Sequence, residues 1–257
     1  MRGLGTMTRT ELALFLREPI TVIFTLALPL MVLYILNGVF GADAAGGAGG
    51  AGGAGDFVVY RGFDAADWYT PAYVALAVAG FAFIALPAHM VEYRETGVLR
   101  RFQASGVPRG TVLAAQTVVA LVIATVGAAL LLGAALLFAG ASSPADVALF
   151  AAAFALGAVA IVMLGVMLGT LLPTARSAQA VGLLLWFVVL FLSGSGPPPE
   201  VLPDGLRTVG DWLPLTPIVR LLQEPWLTGE WLIRESLVTV AVAAVSGTIA
   251  WLAYRWE

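Results

Sequence analysis

Uncharged apolar runs recur along this chain, several as long as the roughly 20 residues that a helix needs to cross a bilayer. They fall at 20–40, 70–91, 111–139, 147–172, 178–192 and 233–253, the last opening with Arg234 and Glu235. A water-soluble fold is excluded on supply. The 257 residues are 60% hydrophobic and 11% charged, too few polar side chains to cover the core such a chain would have to bury. The expected fold class is all-α: one polytopic integral membrane domain over 1–257 with six transmembrane helices.

The connecting segments are read from their local chemistry. Residues 6–19 predict an N-terminal interfacial helix, with Thr8 as N-cap, Glu11 completing a capping box, and Leu12, Phe15 and Leu16 at helical spacing before Pro19. The Ala42-Asp43-Ala44 run resembles a signal-peptidase site, but 20–40 exceeds the roughly 7 to 15 residues of a signal core, so a retained helix is expected. The Gly/Ala tract at 41–56 has no side chains to pack and reads as a flexible linker. Trp68, Tyr69 and Tyr73 are expected to anchor the next span at a water interface. Gly165 and Gly169 form a GxxxG pair suited to close helix packing. The proline-rich stretch 193–231 carries apolar clusters (Leu206, Val209, Trp212; then Ile218, Val219, Leu221, Leu222) and predicts one or two short re-entrant helices before the last span.

Orientation follows from the cations. With the N-terminus inside, six spans place nine of the thirteen arginines in the cytoplasm and eleven of the sixteen acids outside. Both termini are then cytoplasmic. The net charge of −3 gives no support for a nucleic-acid partner.

Several chemistries are excluded by what the chain lacks. It contains no cysteine, hence no thiolate metal site or cysteine nucleophile, and no lysine, hence no ordinary Walker A site to grip nucleotide phosphates. Neither a catalytic residue nor a metal site is expected, and any ATP and Mg must be held by a partner. Ser193 and Ser195 invite comparison with an intramembrane protease, but the one histidine, His89, is expected at the other side of the bilayer, roughly 30 Å away. No acid or base stands at mid-depth of a span, which argues against an ion-coupled transporter.

Polar chemistry is concentrated instead in 92–110, EYRETGVLRRFQASGVPRG. Val98, Leu99 and Phe102 fall on one side of a short helix, with Arg94 and Arg101 along the edge of that stripe and Arg100 facing away. Thr96 and Gly97 open this helix and Gly106 with Pro108 closes it. The bland alternative is a solvated loop held at the membrane face by its arginines.

Three stretches in order resemble the ABC-2 type permeases, the membrane subunits of bacterial ABC exporters. ELALFLREPITVIFTLALPL is similar to the family's connecting helix and first span. EYRETGVLRRFQASGVPRGTVLAAQ is similar to its cytoplasmic "E-R-E-x-G-T-L-E-R-L" loop, and FLSGSGPPPEVLPDGLRTVGDWLPLTPIVRLLQ to the region before its last helix. Among subgroups the chain looks closest to daunorubicin-resistance-like efflux permeases. The Gly/Ala tract and the SGSGPPP run depart from the family pattern. The resemblance implies a plasma-membrane permease subunit, itself not an enzyme, that exports a hydrophobic or amphipathic drug-like substrate. It also implies a partner ATPase, a second permease copy (identical or not), and docking of 92–110 into that ATPase. The candidate docking residues are Glu92, Arg94, Glu95, Gly97, Val98, Leu99, Arg101 and Phe102. Residues that bind substrate are not identified by sequence. Export of lipid or glycan precursors, or a non-transporting scaffold or immunity role, are the alternatives.

Overall fold

The computed structural model describes residues 61–104, 106, 108–197 and 202–254, with isolated positions 27, 31 and 34. The expected interfacial helix 6–19 and tract 41–56 lie outside the described residues, as does the expected span 20–40 apart from those three positions. Among the described residues the secondary structure is helical, without strands. The order is α1 (Ala65–Gly80), a π-helical turn (Phe81–Ala85), α2 (Leu86–Glu95), α3 (Val98–Ala104), α4 (Arg109–Phe138), α5 (Val147–Leu171), α6 (Ala175–Leu192), α7 (Asp204–Trp212), α8 (Leu215–Leu227) and α9 (Ile233–Ala253). Five of these stretches are long and apolar enough to cross a membrane: Ala65–Glu95, Gly110–Phe138, Val147–Leu171, Ala175–Leu192 and Ile233–Ala253.

The bundle is organised around α1, the π turn and α2, a continuous 31-residue rod whose most apolar stretch is entirely buried. Its sequence is apolar on every face and rich in alanine, so neighbouring helices can close on it from all sides. The expected span 70–91 sits inside this longer rod. The charges at Asp67, Glu92 and Arg94 do not end the helix, because a rod of about 46 Å extends beyond an apolar layer about 30 Å thick.

The π turn has a cause in the sequence. Leu86 donates its N–H to the carbonyl of Phe81, five residues back. Pro87, which has no N–H, stands where the next donor in that pattern would serve Ala82. Widening the turn also moves the proline ring away from the carbonyl of Phe83, four residues back, with which it would clash in a regular helix. The displaced carbonyls of Ala82 and Phe83 point at two glycines. A Cβ added to Gly165 of α5 would lie 2.8 Å from the Ala82 carbonyl carbon, and one added to Gly182 of α6 would lie 2.7 Å from that of Phe83. Gly169, one turn beyond Gly165, lies against Met90 and Pro87. The GxxxG pair therefore packs closely, as its spacing suggests, and its partner is the proline-widened turn.

At the other end of the rod, α8 is built into the bundle, with Leu215, Ile218, Val219, Leu221, Leu222 and Trp226 buried. Trp226 meets the Phe150 ring edge-on at 5.1 Å, and the turn before α5 is fastened to α8 by Ala145 N–H to Trp226 O (2.9 Å) and Asp146 N–H to Pro225 O (3.2 Å). Asp146 also caps α5 through the Leu149 N–H. This cover corrects one expectation: Trp68, Tyr69 and Tyr73 are not at a water interface but buried. Gln223 of α8 donates to the Trp68 carbonyl at 3.1 Å, and Tyr69 stacks on Tyr73. The proline-rich stretch 193–231 thus holds two short helices, of which α7 is amphipathic and presents Leu206, Val209 and Trp212 outward.

Candidate functional site

The polar segment after α2 folds as the spacing predicts, into a seven-residue helix α3 between two glycines with left-handed backbone, Gly97 (φ 72°) and Gly106 (φ 76°). Helix α2 closes in the usual way: Thr96 N–H returns to Glu92 O (2.9 Å) and Gly97 N–H to Arg94 O (3.2 Å). The Thr96 hydroxyl donates to the same Glu92 carbonyl at 2.7 Å. The chain thus reverses within two residues, and α3 stays against the end of the rod.

Three side chains fasten this end of the bundle, Arg94 and Glu95 from α2 and Leu99 from α3. Arg94 donates to the carbonyl of Leu172, the residue that ends α5. Glu95 accepts from the N–H of Ala175, the first residue of α6, at 3.3 Å. One basic and one acidic neighbour therefore satisfy a helix C-terminal carbonyl and a helix N-terminal N–H on either side of one turn, where cation and anion are each favoured by the helix dipoles. Thr174 and Ser177 complete that turn with a reciprocal capping box. Leu99 is the third tie, buried with Phe81, Leu86, Met90, Val112, Leu113 and Tyr254.

Of the sequence-derived docking residues, Leu99 therefore packs inside this chain and Val98 is half-buried, while Arg94 is turned toward the α5–α6 turn. Gly97 supplies the reversal. Glu92, Glu95, Arg100, Arg101 and Ala104 are exposed. The side chain of Phe102 lies outside the described residues. The part sequence reading missed is the turn 172–175, whose backbone groups are the partners of Arg94 and Glu95. Its only signal was the T-x-x-S capping pattern, which marks a helix start but names no partner.

The C-terminus of α9 joins the same end. Tyr254 is buried beside Arg94; burial pushes its phenol from an ordinary value near 10 up to about 12, with the Arg94 charge pulling the other way. A raised phenol pKa contributes stability that is fully present below about pH 10 and is lost as pH rises through about 12. The unfolding midpoint of detergent-purified protein is thus expected to fall between those values, and Tyr254→Phe to flatten that part of the profile. An unchanged profile would mean that the phenol is solvated.

His89, buried one turn before Tyr93, meets its ring at 4.4 Å. Ser193 and Ser195 are buried at the far end of the bundle, where Ser193 donates to Val189 O (2.6 Å) and the two hydroxyls are 3.2 Å apart. Ser195 reaches the carbonyl of Ala72 at 3.5 Å, and Ala72 is separated from His89 by roughly 25 Å of continuous helix. Serine and histidine are not brought together. Among the described residues no group of three or more acids and histidines is placed to hold a metal ion.

No curated protein matches the chain. Residues 2–225, which include the central rod, the α3 segment and most of α8, match the ABC-2 type transporter family. A membrane-embedded bundle of long apolar helices around a buried rod, with the short helix α3 at the end of that rod, is accordingly a member of the ABC-2 type transporter family.

Proposed function

We propose that the chain is the membrane-spanning subunit of an ATP-driven exporter, working with a separate ATPase into which α3 docks. The observation that carries this reading is the attachment of α3. Leu99 ties α3 to the central rod, and Arg94 and Glu95 at the end of that rod tie it to the α5–α6 turn, so a push on α3 can reach three spans, whereas a solvated loop would absorb it. Family membership supports it, since ABC-2 permeases normally work with a separate ATP-binding subunit. Exposed Arg100, Arg101 and Arg176 outnumber the exposed Glu92 and Glu95 at this end. On this reading it faces the cytoplasm in the plasma membrane, and α7 and α8 form a re-entrant cap on the outside.

The chain pairs with a second permease copy and does no covalent chemistry of its own; lacking lysine, it leaves ATP and Mg to the ATPase. The substrate class is a hydrophobic or amphipathic molecule of the drug or antibiotic type, as in the daunorubicin-resistance-like subgroup. The test is co-purification from the native membrane. A stoichiometric partner bearing a P-loop is expected, with Phe102→Ala weakening its retention by about tenfold or more and Arg100→Ala changing little. Purification without such a partner would favour a scaffold, and full retention by Phe102→Ala would remove the aromatic from the docking surface.

A further inference from the structure

At the end of the bundle opposite α3, a cavity of about 200 Å3 opens between the start of α1, the end of α6, and helices α7 and α8. Its volume is more than ten times the roughly 15 Å3 needed to hold one water, enough for a phosphate- or carboxylate-sized group with carbon attached. Its lining includes both the guanidiniums of Arg61, Arg207 and Arg220 and the apolar side chains of Trp68, Leu227 and Leu232.

Among the lining residues three guanidiniums stand beside one carboxylate. Glu224, the one lining carboxylate, is committed to Arg61 in a two-toothed ion pair at 2.9 and 3.1 Å. Arg220 is paired with Asp211, which lies one turn from Arg207 on α7. The Arg207 side chain has no ion-pair or hydrogen-bond partner among the described residues, while Asp204 and Asp211 lie one turn to either side of it on α7. Guanidinium is the side-chain cation best matched to a planar or tetrahedral oxyanion, and Arg207 retains all of its donors. The position in the fold adds to this. On α7, Gly210 packs against the backbone of Leu192, which leaves Arg207 on the flank beside the cavity and Leu206, Val209 and Trp212 exposed on the other flank.

We infer that this cavity binds an anionic amphiphile, with a phosphate or carboxylate head group held by Arg207 and Arg220 and its first carbons against Trp68, Leu227 and Leu232. The site does not depend on the transport reading, since neither α3 nor an ATPase takes part in it.

The experiment uses the full chain purified in a neutral detergent, its unfolding midpoint followed at constant ionic strength. Three probes are titrated: dihexanoyl-phosphatidylglycerol, dihexanoyl-phosphatidylcholine and inorganic phosphate. The anionic lipid is expected to raise the midpoint saturably, and Arg207→Gln to weaken its apparent affinity about tenfold, the usual effect of losing a hydrogen bond to a charged group. Arg207→Lys should retain part of the response, and Arg100→Gln, at the opposite end, all of it. A response to phosphate as well would place recognition in the head group; a response to the anionic lipid alone would show that the apolar side chains contribute. Stabilisation by phosphate alone, equal stabilisation by phosphatidylcholine, or an unchanged titration of Arg207→Gln would each overturn the inference.

Discussion

Gly182→Ala is expected to prevent the chain from accumulating as a folded protein, and Gly165→Ala to come close to doing so. Each added methyl would press into a backbone carbonyl of the π turn, not into the movable tip of a side chain. Overfilling a packed interior costs about 1 to 3 kcal/mol when side chains can shift. Here the obstacle is the main chain of the most buried helix, so relief requires α5 or α6 to withdraw along its length, and the cost should reach or exceed the top of that range. Gly133→Ala provides the comparison, because a methyl at that position meets nothing within 4 Å. The measurement is the yield of monodisperse protein after detergent extraction, with the unfolding midpoint of whatever is recovered. Wild-type yield and midpoint for Gly182→Ala would mean that the close approach of α6 to the π turn is wrong.

Leu99→Ala is expected to lower stability by about 2 to 3 kcal/mol, the lower part of the range for a buried leucine, because its pocket lies near the end of the bundle where the structure can partly collapse. Under the transport reading it should also reduce stimulation of the partner ATPase, although Leu99 is 3% exposed and out of reach of any partner. Arg101→Ala should show the reverse division: an unchanged unfolding midpoint, since the side chain is exposed, with slower or weaker partner binding and a reduced dependence on salt. Comparing thermal unfolding with ATPase pull-down for the two variants separates attachment of α3 from recognition by α3. If Leu99→Ala left both measurements unchanged, α3 would not be anchored through this residue.

The helices at 109–138, 147–171 and 233–253 lie within two residues of the apolar runs that predict them, because length and lack of charge are properties of a single segment. The same holds for α3, whose ends are marked by two glycines that local backbone geometry requires. The GxxxG pair signalled a close approach but not its partner. Among the docking residues, the polar character of Glu92, Arg94, Glu95 and Arg101 was legible, while the division of labour among them was not. Arg94 and Glu95 look equivalent to Arg100 and Arg101 in sequence; what distinguishes them is the turn 172–175, far along the chain, whose carbonyl and N–H they meet.

Sequence alone therefore determined that this is a helical membrane protein and where most of its described helices run. These follow from local quantities: apolar length, turn residues, and the absence of lysine and cysteine. Only the tertiary structure decided which apolar helix lies at the centre. The runs 70–91, 111–139 and 147–172 are all apolar enough to be buried, and the choice fell on the one whose alanines and widened turn accept a glycine from α5 and another from α6. It also decided that Trp68, Tyr69 and Tyr73 are covered by α8, and that Arg61, Arg207 and Arg220 come together around one cavity. Each of these outcomes depends on which distant segments meet, and that is set by shape complementarity between helix faces, which no single stretch of sequence carries.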